Sequence, residues 1–176
     1  MFFRGELMDY EIKYSARKTI SLCIKDGRLL IKAPIGTSKA KIREIVNDHT
    51  DWVEKNIKKQ NEKNAKISAL TDEDVKRLKK LAKKVIPPKV EYYSKIMGLK
   101  YGRITITSAK TRFGSCSSKG NLSFSYLLML YPESAIDYVV VHELCHLVEM
   151  NHSPSFYKLV ANVFPDYKER QKILKK

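Results

Sequence analysis

The sequence predicts an α+β fold, with an N-terminal β-hairpin and helix subdomain over residues 1–66 and a mainly helical domain with a small antiparallel sheet over residues 67–176. Three observations predict it. Apolar residues alternate on both sides of Asp26-Gly27, as they do in half-buried strands. Later segments carry apolar residues at three- and four-residue steps, which is the spacing of amphipathic helices. One of these helices contains the motif H-E-x-x-H.

The first element is a predicted hairpin. Asp26-Gly27 is typical of a two-residue type I′ turn, and pairing across it sets Leu22 opposite Ile31 on one apolar face. Register and hydrophobicity therefore agree, and the sequence predicts an antiparallel strand pair.

A long amphipathic helix is predicted after Ser38, its expected N-cap. Trp52, the only tryptophan, is expected to anchor the core. His49 lies on the apolar stripe without other ligand-type residues beside it, so we expect an ordinary core or boundary histidine. Residues 58–70 are polar and rich in Lys and Asn, and the boundary between the two subdomains is expected there.

The second half begins with a strong helix signal. Thr71 offers a capping hydroxyl, and the acids at 72–74 suit the positive end of the helix dipole. Pro87-Pro88 is expected to end or kink this helix, with a further helix closing at Gly98.

A small sheet is predicted next. Ile104 and Ile106 alternate with threonines, and residues 122–126 form a second strand. Gly114 and the turn at residues 119–121 indicate a tight hairpin with a close backbone approach. Strand 122–126 is also the expected edge on which an extended peptide could add a strand.

The motif helix, opened by Pro132, carries the chemistry. His142 and His146 are four residues apart, so they project from one face of a helix and could bind one zinc ion. Glu143 is the expected general base. Two histidines on an apolar helix can also be satisfied core residues, and this alternative lacks an explanation for the third histidine, His152.

His152 follows His146 by six residues, which on a continuous helix would turn it about 240° away. The helix must therefore end first. Asn151 is the expected left-handed C-cap, and Ser153-Pro154 is typical of the N-cap and first turn of a new helix. His152 would then lie in the turn and complete a three-histidine zinc site.

The chain carries a net charge of +15, which favours anionic partners such as nucleotides, nucleic acid or acidic proteins. Lysines that only solvate exposed helix faces are the ordinary alternative. Three cysteines without disulfide-framework spacing, no apparent secretory signal and no long apolar run predict a reducing, cytoplasmic location without a membrane span.

Several blocks in one order carry a family resemblance. They are residues 111–117, 135–146, 149–153 and 165–167. On these blocks the chain resembles the YgjP-like metal-dependent hydrolases, relatives of SprT-type zinc metalloproteases and of small gluzincin-like peptidases. The resemblance implies a zincin-like catalytic domain. It departs from the family pattern at Phe113, where Trp is usual, and at Ser123–Tyr126, where an Asn-containing strand is common.

The resemblance implies zinc bound by His142, His146 and His152, with Glu143 as the catalytic base. Peptide or protein is the first expected substrate. A nucleotide pyrophosphohydrolase is the alternative, since activity on a uridine nucleotide has been ascribed to the YgjP group. A nucleic-acid-associated protein, such as a protease of DNA-bound proteins, is a third hypothesis.

Three other side chains near the motif have open roles. Arg112 and Tyr157 are candidate oxyanion donors, although a surface arginine and a core tyrosine are the ordinary interpretations. Cys145 could face the same cavity, but we expect it to pack as a neutral thiol because three histidines already complete the ligand set.

Overall fold

A computed structural model describes residues 10–175 and confirms the α+β class. The chain divides into two compact units, the first ending at Leu70 and the second beginning at Thr71. The assignment of the catalytic domain to residues 67–176 stays a prediction.

A three-stranded sheet lies in the first unit. Its strands are β1 (Tyr10–Ser15), β2 (Ser21–Lys25) and β3 (Arg28–Pro34), in the order β1-β3-β2. The predicted hairpin is confirmed, because Leu22 pairs with Ile31 and both turn residues, Asp26 and Gly27, have positive φ angles of 51° and 77°. However, β1 runs parallel to β3, so the sheet is mixed rather than antiparallel throughout.

The predicted single helix after Ser38 is two helices, α1 (Lys39–Asp48) and α2 (Thr50–Ser68). The break follows from Thr50, whose hydroxyl donates to the carbonyls of Val46 and Asn47 and so caps the end of α1. His49 lies at the break and hydrogen-bonds through Nδ1 to the Ile45 carbonyl, at 2.9 Å.

One expectation for this unit is wrong, because Trp52 is 44% exposed and is not a core anchor. Residues 58–68 are the second half of α2, and the division between the two units follows directly, at Leu70. The core of this unit is formed by buried aliphatic side chains of the sheet and helices, namely Leu29, Ile31, Ala33, Ile42, Val46 and Val53.

The second unit begins with α3 (Asp72–Met97). The Thr71 hydroxyl and the Asp74 side chain form the predicted capping box, and Gly98 closes the helix at a φ of 64°. The helix continues through Pro87-Pro88, so the predicted second helix is wrong. The two prolines remove hydrogen bonds from the carbonyls four residues earlier, and both of those residues are exposed lysines whose carbonyls water can reach.

A second mixed sheet follows, formed by β4 (Ile104–Thr107), β5 (Gly114–Cys116) and β6 (Leu122–Ser125). Strand β6 is central, with β4 parallel on one side and β5 antiparallel on the other. The predicted hairpin between β5 and β6 is confirmed, with Gly120 at a φ of 72°. The prediction that residues 122–126 form an edge strand is wrong, and so is that of a purely antiparallel sheet.

The two faces of this sheet differ in chemistry. Leu122 and Phe124 are fully buried on one face. Residues that pair directly share a face, so the other face carries only hydroxyl side chains. We call it the hydroxyl face, and its members are Thr105, Thr107, Ser115, Ser123 and Ser125.

After a 3-10 turn (Tyr126–Leu130), the chain forms α4 (Glu133–Cys145), α5 (Pro154–Val163) and α6 (Tyr167–Lys175). Helix α4 is buried along nearly its whole length and packs against α3, α5 and α6. Between residues 10 and 175, no helix combines the length and apolar character needed to cross a bilayer.

An ion-pair cluster joins α3 to α4. Lys89 Nζ lies 2.7 Å from Asp137 Oδ1 and 2.5 Å from Glu133 Oε1, and the side chains of Lys89 and Asp137 are 19% and 13% exposed. Such a shielded pair fixes the position of α4, since removal of one partner leaves the other charge poorly compensated.

We expect Lys89→Met to lower the free energy of unfolding by about 1–3 kcal/mol, because Asp137 loses its cationic partner. Urea denaturation measures the change. Lys95→Met is the matched control, since Lys95 pairs with Glu91 on the exposed surface, where ion pairs contribute little, so its loss should have a much smaller effect on stability. Equal effects of the two substitutions would contradict a positional role for Lys89.

Candidate metal centre

The metal centre is built on the last turn of α4. His142 and His146 lie on the same face, with ring centroids 4.9 Å apart. The helix ends at Cys145, and His146 is the C-cap residue. The first two histidines therefore come from one rigid element, as their spacing predicts.

The route to the third histidine differs from the prediction. Asn151 is not a left-handed cap, since Asp26 is the only non-glycine residue with a positive φ within residues 10–175. The chain leaves the helix earlier, through a turn in which Leu147 and Glu149 donate backbone hydrogen bonds to Leu144 and Cys145. An N–H···O bond from His146 Nδ1 to the Glu149 carbonyl, at 3.0 Å, stabilises this turn.

The start of α5 positions His152. The Ser153 hydroxyl accepts a hydrogen bond from the Phe156 amide, and Pro154 occupies the first helical turn, both as predicted. His152 Nε2 consequently lies 2.9 Å from His142 Nε2. One ligand nitrogen from each of the three histidines lies within 4.8 Å of the others.

Phe156 forms the floor of the centre. Its fully buried ring has its centroid 4.8 Å from that of His142, 4.6 Å from that of His146 and 4.9 Å from that of His152. Phe156 was not among the site residues predicted from the sequence. Its signal was its position four residues after His152, one helical turn into α5.

Hydrogen bonds on the outer nitrogens orient two of the rings. His146 Nδ1 is occupied by the Glu149 carbonyl, which leaves Nε2 for a ligand. The Tyr138 hydroxyl lies 3.5 Å from His142 Nδ1. Burial raises the pKa of Tyr138 to about 12, so this hydroxyl is neutral at pH 7. Tyr138 was also missed, and its signal was its place one turn before His142.

Burial favours the neutral form of the two helix histidines, His142 and His146. Burial, followed by the charges that His146 and His152 would carry, lowers the pKa of His142 to about 3. Burial likewise lowers the pKa of His146. Neutral imidazole is the form that binds a metal ion.

Glu143 is buried next to these rings, at 5% exposure. Burial raises the pKa of this carboxyl to about 8, against an opposing effect of the Arg112 charge. Its Oε2 atom has no hydrogen-bond partner among the residues that the structure describes. A buried acceptor without a partner is costly unless a ligand, an ion or water satisfies it.

Strand β5 lies directly against Glu143. A Cβ atom added at Gly114 would be 2.5 Å from Glu143 Oε1 and 2.7 Å from Cδ, distances that real side chains do not tolerate. The close backbone approach predicted at Gly114 is therefore an approach to the carboxylate. Only glycine permits it without displacing Glu143.

These residues fit a metal ion. The donors are three imidazole nitrogens, a set typical of zinc with one position left for water or substrate. The His142 and His152 nitrogens are 2.9 Å apart, and all three donors lie within 4.8 Å of one another, so one ion could contact them together. The Glu143 Oε2 atom, which lacks a partner among the described residues, is a further group that a bound ion or its water could satisfy.

The remaining candidates are placed as follows. The ring of Tyr157 is 6.2 Å from that of His152 and stacks on Tyr167 at 5.6 Å. Arg112 is exposed and acts electrostatically on Glu143. Cys145 is fully buried, and burial raises the pKa of its thiol to about 12, so it packs as a neutral group outside the His cluster.

Comparison with known proteins gives both family and relatives. The model of the YgjP-like metallopeptidase domain matches residues 18–76 and 71–176. The UTP pyrophosphatase of Escherichia coli strain K12 is 35% identical over 85 residues, which are 46% of this chain. The match spans 50% of that relative's length.

Two solved structures are similar to part of the chain. The metallopeptidase zymogen abylysin of Pyrococcus abyssi is 26% identical with a TM-score of 0.46, and covers 50% of this chain and 90% of its own. The metallopeptidase zymogen jannalysin of Methanocaldococcus jannaschii is 23% identical with a TM-score of 0.46, and covers 51% of this chain and 94% of its own.

The family match extends over both units and includes every residue of the metal centre. It agrees with the resemblance carried by the 111–117 and 135–146 blocks, and it supports a metal-dependent hydrolase. The chain belongs to the YgjP-like metallopeptidase-domain family.

Proposed function

We propose that the chain is a zinc-dependent hydrolase in which His142, His146 and His152 bind the metal and Glu143 is the general base. The observation that carries this proposal is the convergence of three imidazoles, together with the buried side chain of Glu143, whose Oε2 lacks a partner among the described residues. When bound, zinc would supply Lewis acidity and a water of lowered pKa.

Glu143 moves the proton in this scheme. Its Oε2 is the atom available to accept a proton from the attacking water, and the same carboxyl then returns it to the leaving group. The pKa of about 8 applies to the chain without a cation. A neighbouring cation favours the carboxylate form, which is the form a general base needs.

A peptide is the first proposed substrate. Within residues 10–175 the sheet order β4-β6-β5 leaves β4 and β5 as edge strands. Gly114 of β5 lies against Glu143, so an extended peptide that pairs with β5 would pass the base. The edge of β5 therefore supports the peptide hypothesis more directly than strand 122–126 did.

A nucleotide pyrophosphohydrolase is the second candidate. The Escherichia coli relative is named a UTP pyrophosphatase, and its match covers 46% of this chain. Water attack on phosphorus needs the same base and Lewis acid as attack on a peptide carbon. The high positive charge also suits an anionic substrate.

We expect Glu143→Gln to lower hydrolytic activity by about 10²–10⁴-fold, because the amide cannot accept the proton. Metal content should be unchanged, since the three histidines remain. Activity on unfolded protein and on nucleoside triphosphates is measured with wild type and variant in parallel. If only triphosphates are cleaved, and the variant loses that activity, the peptidase proposal fails.

We expect His152→Ala to weaken zinc binding by about tenfold or more, since two of three protein ligands remain. Competition with a chelator measures the affinity. His49→Ala is the matched control, because His49 belongs to the first unit and its side chain hydrogen-bonds, within residues 10–175, to the carbonyl of Ile45. Unchanged zinc affinity in His152→Ala would remove the metal assignment.

The buried acid predicts a pH effect. The folded metal-free chain keeps on Glu143 a proton that the unfolded chain releases between pH 4.5 and about 8. Stability should therefore fall over this interval as pH rises. We expect Glu143→Gln to be more stabilising at pH 9 than at pH 5, by about 1 kcal/mol or more.

Thermal unfolding with a chelator present measures this difference. Saturating zinc should reduce it, because a cation stabilises the wild-type carboxylate. The same stability gain at pH 5 and pH 9 would show that Glu143 does not keep its proton in the fold.

A further inference from the structure

A second polar site lies in the same unit, on the hydroxyl face of the β4-β6-β5 sheet. It is a pocket of about 90 Å³. Its polar lining comes from Arg112 and from four hydroxyl residues, which are Thr107, Ser115, Ser123 and Ser125. None of these residues is a metal ligand, and Arg112 acts on Glu143 through its charge alone.

Strand register explains why the hydroxyls meet. Ser115 pairs with Ser123 across the antiparallel ladder, and Thr107 pairs with Ser125 across the parallel one. Directly paired residues have Cβ atoms about 4.5–5.5 Å apart. Four hydroxyls are thereby held on a rigid three-stranded frame, and Arg112 enters from the segment that leads into β5.

Some of these groups are already occupied. Ser125 Oγ donates to the Ala109 carbonyl at 2.7 Å and accepts from the Leu127 amide. Thr107 makes only a long contact of 3.4 Å to the Phe124 carbonyl. Within residues 10–175, the side chains of Arg112, Ser115 and Ser123 form no hydrogen bond or ion pair. Three donors are therefore free to bind a ligand.

The chemistry of these donors selects an oxyanion. A guanidinium presents a planar fork of N–H donors that matches phosphate oxygens, and serine hydroxyls add further donors. The positive charge of Arg112 disfavours a cation in this pocket. A water molecule occupies roughly 30 Å³, so the pocket has room for a group of a few heavy atoms and not for a whole nucleotide.

We propose that this pocket binds a phosphate group of a phosphorylated substrate. Gly114 lines the pocket, and a Cβ at this residue would point at Glu143, so the pocket and the base lie on opposite faces of the same edge strand. A substrate whose phosphate is held by Arg112 would have to pass around the edge of β5 to reach Glu143. That link to hydrolysis rests on the proposed function, whereas phosphate binding itself does not.

The test is a calorimetric titration of the metal-free protein with inorganic phosphate. We expect Arg112→Met to weaken binding by about tenfold or more, because a charge-assisted fork is lost. Ser123→Ala should weaken it by about threefold, the effect of one neutral hydrogen bond. Both residues are at least partly exposed, so the substitutions should leave the fold intact, and circular dichroism checks this.

Matched controls distinguish phosphate binding in this pocket from binding caused by the general positive charge of the protein. Arg103→Met removes the same charge from the same unit, and Ser118→Ala removes a hydroxyl from the β5–β6 turn; neither residue lines the pocket. We expect both controls to bind phosphate like wild type. Loss of binding in Arg103→Met equal to that in Arg112→Met, or acetate binding as tight as phosphate, would overturn the proposal.

The metal-free titration also separates the two proposals. Phosphate binding that depends on Arg112 and Ser123, together with no hydrolysis by the zinc-loaded protein, would support the pocket and remove the hydrolase assignment. Hydrolysis that depends on Glu143, without phosphate binding by the metal-free protein, would overturn the pocket and leave the metal centre standing.

Discussion

The contact between Glu143 and the backbone of Gly114 is the constraint on which the centre depends. A carboxyl group is expensive to bury, and here the strand packs so closely that no Cβ fits between them. This closeness requires glycine at the start of β5 and an apolar sheet face toward the helix. It also requires α4 to be held firmly, which the Lys89 ion pairs with α4 provide.

Features with local causes could be predicted from the sequence. The turn at Asp26-Gly27, the cap at Thr71 and the Ser153-Pro154 helix start depend on residues that are neighbours in the chain. Strand order could not be predicted in this way. Parallel pairing of β1 with β3, and of β4 with β6, joins segments whose relation is decided by tertiary packing.

The same distinction between local and tertiary causes applies to the metal centre. The histidine positions followed from spacing within one helix and one turn. Phe156 could be recognised as the floor of the centre only once α5 was packed against α4, whereas Tyr138 lies on α4 itself, one turn before His142. Asn151 misled because the helix ends at Cys145, before the residue whose type suggested a cap. Nucleic-acid association stays a prediction, and it depends on the exposed lysines of α3.

Glu149 has a consequence for metal uptake. Its carbonyl accepts from His146 at 3.0 Å, and its carboxylate accepts from the Asn151 amide at 3.4 Å and the Ser155 hydroxyl at 3.2 Å. Glu149 thus connects His146 by hydrogen bonds to residues on both sides of His152. The three nitrogens form a preorganised chelate, so little conformational entropy remains to be lost when an ion enters. The main remaining free-energy cost of metal binding is then the removal of water from the ion.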